Sequence, residues 1–205
     1  MAKVNMAGSL PAGGWERKLF HLLAGSFFPV LAFFLSRESI LLGVGLATAG
    51  ALGGELLRYR CPGVNRWVLK WLGFVLKPQE SHHLTGATYI LLATLLLFAL
   101  FPRGVAQAAL LFLAWGDPAA ALVGARLGRR RWHAKSLEGG LAFLGVSLLV
   151  AVVLVPLAGV SLGLLVLGAG LAAFIEFWPL PLDDNLVTPV LSGLGMFLVG
   201  GAGWM

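Results

Sequence analysis

Residues 105–123 read VAQAALLFLAWGDPAAALV, nineteen positions of which only Asp117 is ionisable. A stretch of that length and apolarity, without the two-residue alternation of a half-buried strand, is what a membrane-spanning helix requires. Six further apolar runs lie at 19–35, 40–56, 84–101, 141–155, 162–178 and 186–199. The whole chain agrees with them: 59% of its 205 residues are hydrophobic and 12% charged, against roughly 25% charged in soluble domains. These runs predict an all-α, polytopic membrane protein of about seven transmembrane helices, forming a single transmembrane domain over residues 1–205 with a short N-terminal tail at 1–15. The N-terminus lacks the basic, apolar and small-residue order of a cleaved signal, so the first span is expected to stay. The lone cysteine, Cys61, excludes an internal disulfide.

One connection differs from the others. Residues 64–76 are apolar apart from Asn65, Arg66 and Lys70, and Lys77 follows directly. At 100° per residue these three cations fall within about 40° of one another, beside Trp67 and Trp71. That stripe predicts an amphipathic helix lying in the headgroup layer.

The net charge of +6 flanks the apolar runs and is read as topology rather than nucleic-acid binding. Connections after the second, fourth and sixth runs carry Glu55, Arg58, Arg60, Arg66, Lys70, Lys77 and Glu80, then Arg126, Arg129, Arg130, Arg131, Lys135 and Glu138, then Glu176, Asp183 and Asp184. The opposite connections hold only Arg37, Glu38 and Arg103. The Lys and Arg bias places the N-terminus inside and the C-terminus outside, in the inner membrane of the cell. Acids contribute little to that rule, so their gathering on the basic face marks a polar site on the cytoplasmic side.

Three segments could carry chemistry. Asp117 lies two thirds along its apolar run, where an unpartnered carboxylate costs about 2.5–3.5 kcal/mol on insertion scales. Pro118 is expected to break the regular helix there, while Ala120, Gly124 and Gly128 follow at four-residue spacing and offer a smooth packing face. In the next connection, the cations from Arg129 to Lys135 precede Ser136, placed to cap a helix, with Glu138, Gly139 and Gly140 beyond. Free amides, a positive helix end and an ammonium at one place make a phosphate cradle. In the third segment prolines end one helix and Asp183, Asp184 and Asn185 open the next; adjacent acids suit Mg²⁺, which takes one or two carboxylates plus substrate phosphates, whereas capping alone needs one of the three. Weaker candidates are Arg17, Lys18 and His21 at the first helix start, Glu55 with Arg58 one turn apart, and His82 with His83, which read as an interfacial loop. No Walker-type loop, zinc spacing or nucleophile elbow is present.

Taken in order, these pieces resemble the CTP-dependent lipid kinase family that includes dolichol kinase, phytol kinase and the yeast-type diacylglycerol kinase. The matching residues are Arg17-Lys-Leu-Phe-His21, Glu55-Leu-Leu-Arg58, Leu84-Thr-Gly-Ala-Thr-Tyr89, Gly116-Asp117 with Ala120, Gly124 and Gly128, Lys135-Ser136-Leu-Glu138-Gly139, and Asp183-Asp-Asn-Leu-Val-Thr-Pro189. The resemblance implies transfer of the γ-phosphate of CTP, with Mg²⁺, to a membrane lipid alcohol: a prenol such as phytol, geranylgeraniol or polyprenol, or diacylglycerol. The family's nucleotide-binding motif maps onto Asp117, Gly124, Gly128, Lys135, Ser136, Glu138 and Gly139. From the residues themselves, catalytic roles are expected for Asp117, Lys135, Glu176 and Asp184, further nucleotide contacts for Gly116, Arg126 and Asn185, metal contacts for Asp117 with Asp183 or Asp184, and lipid contacts for Arg17, His21, Glu55 and Arg58. Either Glu176 or Asp184 would accept the hydroxyl proton.

The CDP-diacylglycerol synthases share the Gly-Asp and Lys-Ser-x-Glu-Gly themes as distant relatives, but their longer closing signature is replaced here by Asp183-Asp-Asn. Kinase is therefore favoured over cytidylyltransferase. A transporter using Asp117 and Glu176 as ion sites should carry polar residues on both sides, and one side is nearly bare. The expected partners are a lipid alcohol and a nucleoside triphosphate, with no nucleic acid; a homodimer is left open.

Overall fold

The computed structural model describes residues 14–76, 80, 83–133 and 135–201. Most of the N-terminal tail, Lys77 and His82 lie outside the described residues. Within them the chain forms eight helices, α1 (Gly14–Leu31), α2 (Arg37–Arg60), α3 (Pro62–Leu72), α4 (Gly86–Leu100), α5 (Arg103–Leu127), α6 (Leu137–Ala158), α7 (Leu162–Phe177) and α8 (Asp184–Gly200), and one small hairpin of β1 (Arg131–Trp132) and β2 (Lys135–Ser136). Each apolar run of the sequence falls on a helix, and the protein is all-α with almost no sheet. Helices α2, α5 and α6 are long and apolar enough to cross a membrane, while α4, α7 and α8 are shorter apolar helices.

Side chains place the helix starts. Ser36 Oγ accepts from the Ser39 amide and Thr85 Oγ1 from the Thr88 amide, satisfying amides that have no intrahelical partner. Helix α5 is the centre, buried almost continuously from Gly104 to Ala114, and it packs against α1, α4, α6, α7 and α8. The outward faces of other helices stay apolar: Leu42, Leu46, Leu149, Val152 and Leu198 are all more than 60% exposed. Such a surface suits lipid, as expected of an integral membrane protein.

Two elements refine the sequence reading. Helix α5 continues through Pro118 to Leu127, although proline there removes the amide that would bond to the Ala114 carbonyl. Packing against neighbouring helices makes this tolerable in an apolar helix. Helix α3 is the expected amphipathic segment. None of its residues is buried, Trp67 and Trp71 are exposed, and Lys70 Nζ lies 5.6 Å from the Trp71 ring centre.

Buried polar groups join the helices. Pro29 lies in the last turn of α1, where its carbonyl has no later amide within the helix, and Gln107 Nε2 of α5 donates to it at 3.0 Å. Gln107→Leu strands that carbonyl, and a loss of about 1–2 kcal/mol is expected. Thermal unfolding of the detergent-purified protein should show a lowered midpoint; an unchanged midpoint would show that this bond does not hold α1 to α5.

Candidate functional site

The hairpin sets the site because it fixes where Lys135 and Ser136 face. Arg131 pairs with Ser136 and Trp132 with Lys135, and the turn between them places His133 in the left-handed region at φ 54°. Both Glu138 carboxylate oxygens accept from the Arg130 amide, at 3.2 and 3.3 Å, and the Leu137 amide donates to the Arg130 carbonyl. Ser136 then caps α6, its Oγ accepting from the Gly139 amide at 3.1 Å. Helices α5 and α6 touch closely here. A β-carbon on Gly124 would lie 2.8 Å from Ser136 Oγ, and one on Gly139 would lie 2.8 Å from the Ala120 carbonyl oxygen.

Lys135 joins this hairpin to two helix ends. Its Nζ donates to Glu176 Oε1 at 2.9 Å, to Asp184 Oδ2 at 2.9 Å and to the Glu176 backbone carbonyl, using all three ammonium donors. Burial alone would lower the Lys135 pKa, but the facing carboxylates of Glu176 and Asp184 outweigh it and hold the ammonium above its ordinary value. The other oxygen of Glu176, Oε2, accepts from Thr188 Oγ1 at 3.1 Å, so this carboxylate, 6% exposed, is engaged at both ends.

Across from this knot stands Asp117, whose Oδ2 lies 3.8 Å from Lys18 Nζ and 3.9 Å from His21 Nε2, both on α1. Two cavities open on either side. One, of about 500 Å³, is lined by Arg17, Asp117, Arg131, Lys135, Glu176 and Asp184 with the small residues of the α5–α6 contact. The other, of about 320 Å³, has polar lining from Arg17, Lys18, His21, Glu80, Thr85, Asp117, Asp184 and Asn185, and apolar lining from Phe20, Val68, Leu72, Val75, Ile90 and Leu113. Arg17, Asp117 and Asp184 line both.

The expected residues separate accordingly. Asp117, Lys135, Glu176, Asp184, Gly124, Ser136 and Gly139 gather round the larger cavity, and Arg17 and His21 border the smaller. Gly116 is buried, and a β-carbon there would lie 2.7 Å from the Phe143 ring. Gly128 packs on Ser136, Arg126 is exposed in the last turn of α5, and Glu138 holds the hairpin. Asp183 caps α8, Oδ1 accepting from the Asn185 amide at 3.0 Å.

Glu55 and Arg58 form a buried pair at 2.7 Å. Glu55 Oε1 accepts from the Thr85 amide and Thr88 Oγ1, and Arg58 donates to the His83 carbonyl, which clamps the 83–88 segment behind the smaller cavity. Sequence reasoning named Lys18 only as a weaker candidate with Arg17 and His21, Arg131 only within the run of cations before Ser136, and Glu80 only among the acids of the basic face; Lys18 stands three residues before His21 and thus on its helix face.

Among the described residues, no group of three or more His, Cys, Asp or Glu is gathered to hold a metal unaided. Magnesium bound with a polyphosphate needs only one or two carboxylates, and Asp117 and Asp184, bordering both cavities, meet that demand.

Fold and site together define a polytopic helical membrane protein with a charged site shared by a cation-lined and an apolar-walled cavity. Phytol kinase of Synechocystis is 34% identical to the chain over 205 aligned positions, covering 91% of the chain and 79% of that protein. CTP-dependent diacylglycerol kinase 1 of Schizosaccharomyces pombe is 27% identical, covering 73% and 76%. An uncharacterized protein of Rickettsia prowazekii is 26% identical, covering 85% and 89%. No family model and no solved structure matches. The chain belongs to the membrane lipid kinase family that contains phytol kinase and CTP-dependent diacylglycerol kinase.

The Glu55–Arg58 pair gives a direct test of the frame around the site. Arg58→Leu leaves a buried carboxylate without its cation, and stability should fall by about 3–5 kcal/mol. Glu55→Gln with Arg58→Leu should recover much of that loss in thermal unfolding. Equal damage from the single and double variants would show that the pair is not coupled.

Proposed function

We propose that the chain transfers the γ-phosphate of CTP to the hydroxyl of a membrane lipid alcohol, either a prenol or diacylglycerol, from the cytoplasmic side of the inner membrane. The observation that carries this reading is the pair of cavities meeting at Arg17, Asp117 and Asp184. The larger offers cations and a capped helix start to a polyphosphate; the smaller offers apolar lining to a lipid tail and polar lining to its hydroxyl. The names of the relatives support donor and acceptor class alike.

Phosphoryl transfer demands chiefly positioning and charge stabilisation. In this reading Asp117 and Asp184 hold Mg²⁺, with Asp183 retained as the helix cap. The ion, when bound, offsets charge on the phosphate oxygens. Arg17, Arg131 and Lys135 face the same cavity, and Lys135 turns one of its three donors from carboxylate to phosphate oxygen. The small face of Ala120, Gly124 and Gly139 admits the nucleotide close to the helix backbones, with Ser136 and Gly140 alongside. Arg17 and His21 border the acceptor end, while Glu55 and Arg58 act through the segment they clamp.

The acceptor oxygen attacks the γ-phosphorus as the bond to the β-phosphate oxygen breaks, and CDP leaves with that electron pair. Of the two acids considered for the hydroxyl proton, Glu176 borders only the phosphate cavity and has both oxygens engaged. Asp184 borders both cavities, and the proton goes to it.

The test is an incubation of the purified protein in detergent with γ-labelled CTP, Mg²⁺ and a panel of prenols and diacylglycerol. Label should enter one lipid, and chelation of the metal should abolish the transfer. Label entering no lipid refutes the kinase reading, and lipid labelling from α-labelled CTP establishes cytidylyl transfer instead. Asp117→Asn should lower kcat at least about 100-fold; full turnover in that variant would remove Asp117 from the mechanism.

A further inference from the structure

Asn185 opens α8 directly after Asp184 and was expected to contact nucleotide, yet its side chain borders the apolar-walled cavity and not the cation-lined one. The residue is 7% exposed. Its backbone amide is bonded to Asp183 Oδ1, but its side-chain amide makes no hydrogen bond within the described residues. Asn185 lines the cavity and its amide atoms are not among the enclosed polar atoms left without a partner, so a ligand in the cavity can supply the hydrogen bond that the protein does not.

The surroundings keep the amide in place. Gly86, at the start of α4, gives it room: a β-carbon there would lie 2.7 Å from Asn185 Nδ2 and 3.3 Å from Glu80 Oε1. The Gly86 amide donates to Glu80 Oε1 at 3.1 Å, while the Glu55–Arg58 pair holds the preceding residues from behind. Apolar Ile90, Leu72 and Val68 line the same cavity. A long-chain alcohol lying among those side chains has one polar atom to satisfy. Thr85 also lines the cavity, but its hydroxyl is engaged with Thr88, which leaves Asn185, next to Asp184, as the neutral amide available to it. A neutral amide suits a neutral hydroxyl because it can donate to and accept from it, whereas a triphosphate is served by the cations across Asp117.

We infer that Asn185 is the acceptor-binding residue, holding the lipid hydroxyl beside Asp184, and that Gly86 is kept small so that the amide can reach it. This rests on the two-cavity kinase reading and assigns Asn185 to the alcohol rather than to the nucleotide. A bond of this kind to the alcohol oxygen sets acceptor affinity and leaves nucleotide affinity alone.

The test uses the purified full chain in detergent, with tritiated geranylgeraniol as acceptor probe, the corresponding hydrocarbon lacking the hydroxyl as competitor, and CTP titrated separately. Wild-type protein should prefer the alcohol to the hydrocarbon. Asn185→Ala should weaken alcohol binding about tenfold or more, erase that preference and leave the CTP dissociation constant within twofold. Gly86→Ala should give the same pattern by displacing the amide. Unchanged CTP binding shows in both variants that the fold is intact.

Alcohol binding within twofold of wild type in Asn185→Ala, or CTP binding weakened in parallel, overturns the assignment. The two readings fail separately. Wild-type protein that binds alcohol and CTP but moves no label refutes the kinase while leaving Asn185 in place, and an active enzyme indifferent to Asn185→Ala refutes only the acceptor contact.

Discussion

A carboxylate can stay ionised inside an apolar helix bundle only if cations or hydrogen-bond donors meet it, and the ammonium of Lys135 is the cation that meets Glu176. From the end of a two-residue strand it reaches the last turn of α7 and the first residue of α8. The hairpin and two consecutive helix ends, 41 and 49 residues further along the chain, are thereby held within one side chain's reach. Removing the cation would leave Glu176 and Asp184 facing each other in a medium that screens poorly. Another buried carboxylate, Glu55, is met in the same way by Arg58. Ion pairing is therefore a condition for helix ends of this composition to converge at all.

Convergence produces a site with two unlike sides. Helix α5 contributes Asp117 to the middle, α1 brings Arg17, Lys18 and His21 against it, and the start of α8 brings Asp184. The cation-lined side rests on the α5–α6 contact, where glycines let the helices approach closely enough for Ser136 and Gly139 to face Ala120 and Gly124. The apolar-walled side rests on α3 and α4. Its shape depends on the Glu55–Arg58 clamp, because Thr85, Gly86 and Ala87 line the cavity on one side while the Thr85 amide is tied to Glu55 on the other.

What the sequence disclosed follows from how far each signal reaches along the chain. Apolar runs of fourteen or more residues and the basic stripe beside Trp67 and Trp71 are local patterns, and each appears as a helix. Ser136 and Asp183 were legible as caps because capping is read over three residues. Pro118 misled the reading because its effect is decided by the helices around α5, which sequence near Asp117 does not reveal. The β1–β2 hairpin is too short to show a period. Which acid meets Lys135, and whether Asn185 faces nucleotide or lipid, depends on the relative placement of α7, α8 and the hairpin, so no spacing along one segment could decide it.

Depth links the site to its substrate. Asp117 lies ten residues before the end of α5, about 15 Å along the helix axis at 1.5 Å per residue. A lipid alcohol carries no charged headgroup to lift it out of the bilayer, so in the proposed reading its hydroxyl stays below the phosphate layer. The nucleotide must then descend to it. Arg17 and Arg131 line the cavity on that route, and their charge offsets the cost of bringing phosphates toward an apolar bundle. A site placed at the exposed helix ends, where Arg126 sits, would serve a water-soluble acceptor; in the proposed reading, one at the level of Asp117, with apolar lining beside it, would serve an acceptor that arrives from within the membrane.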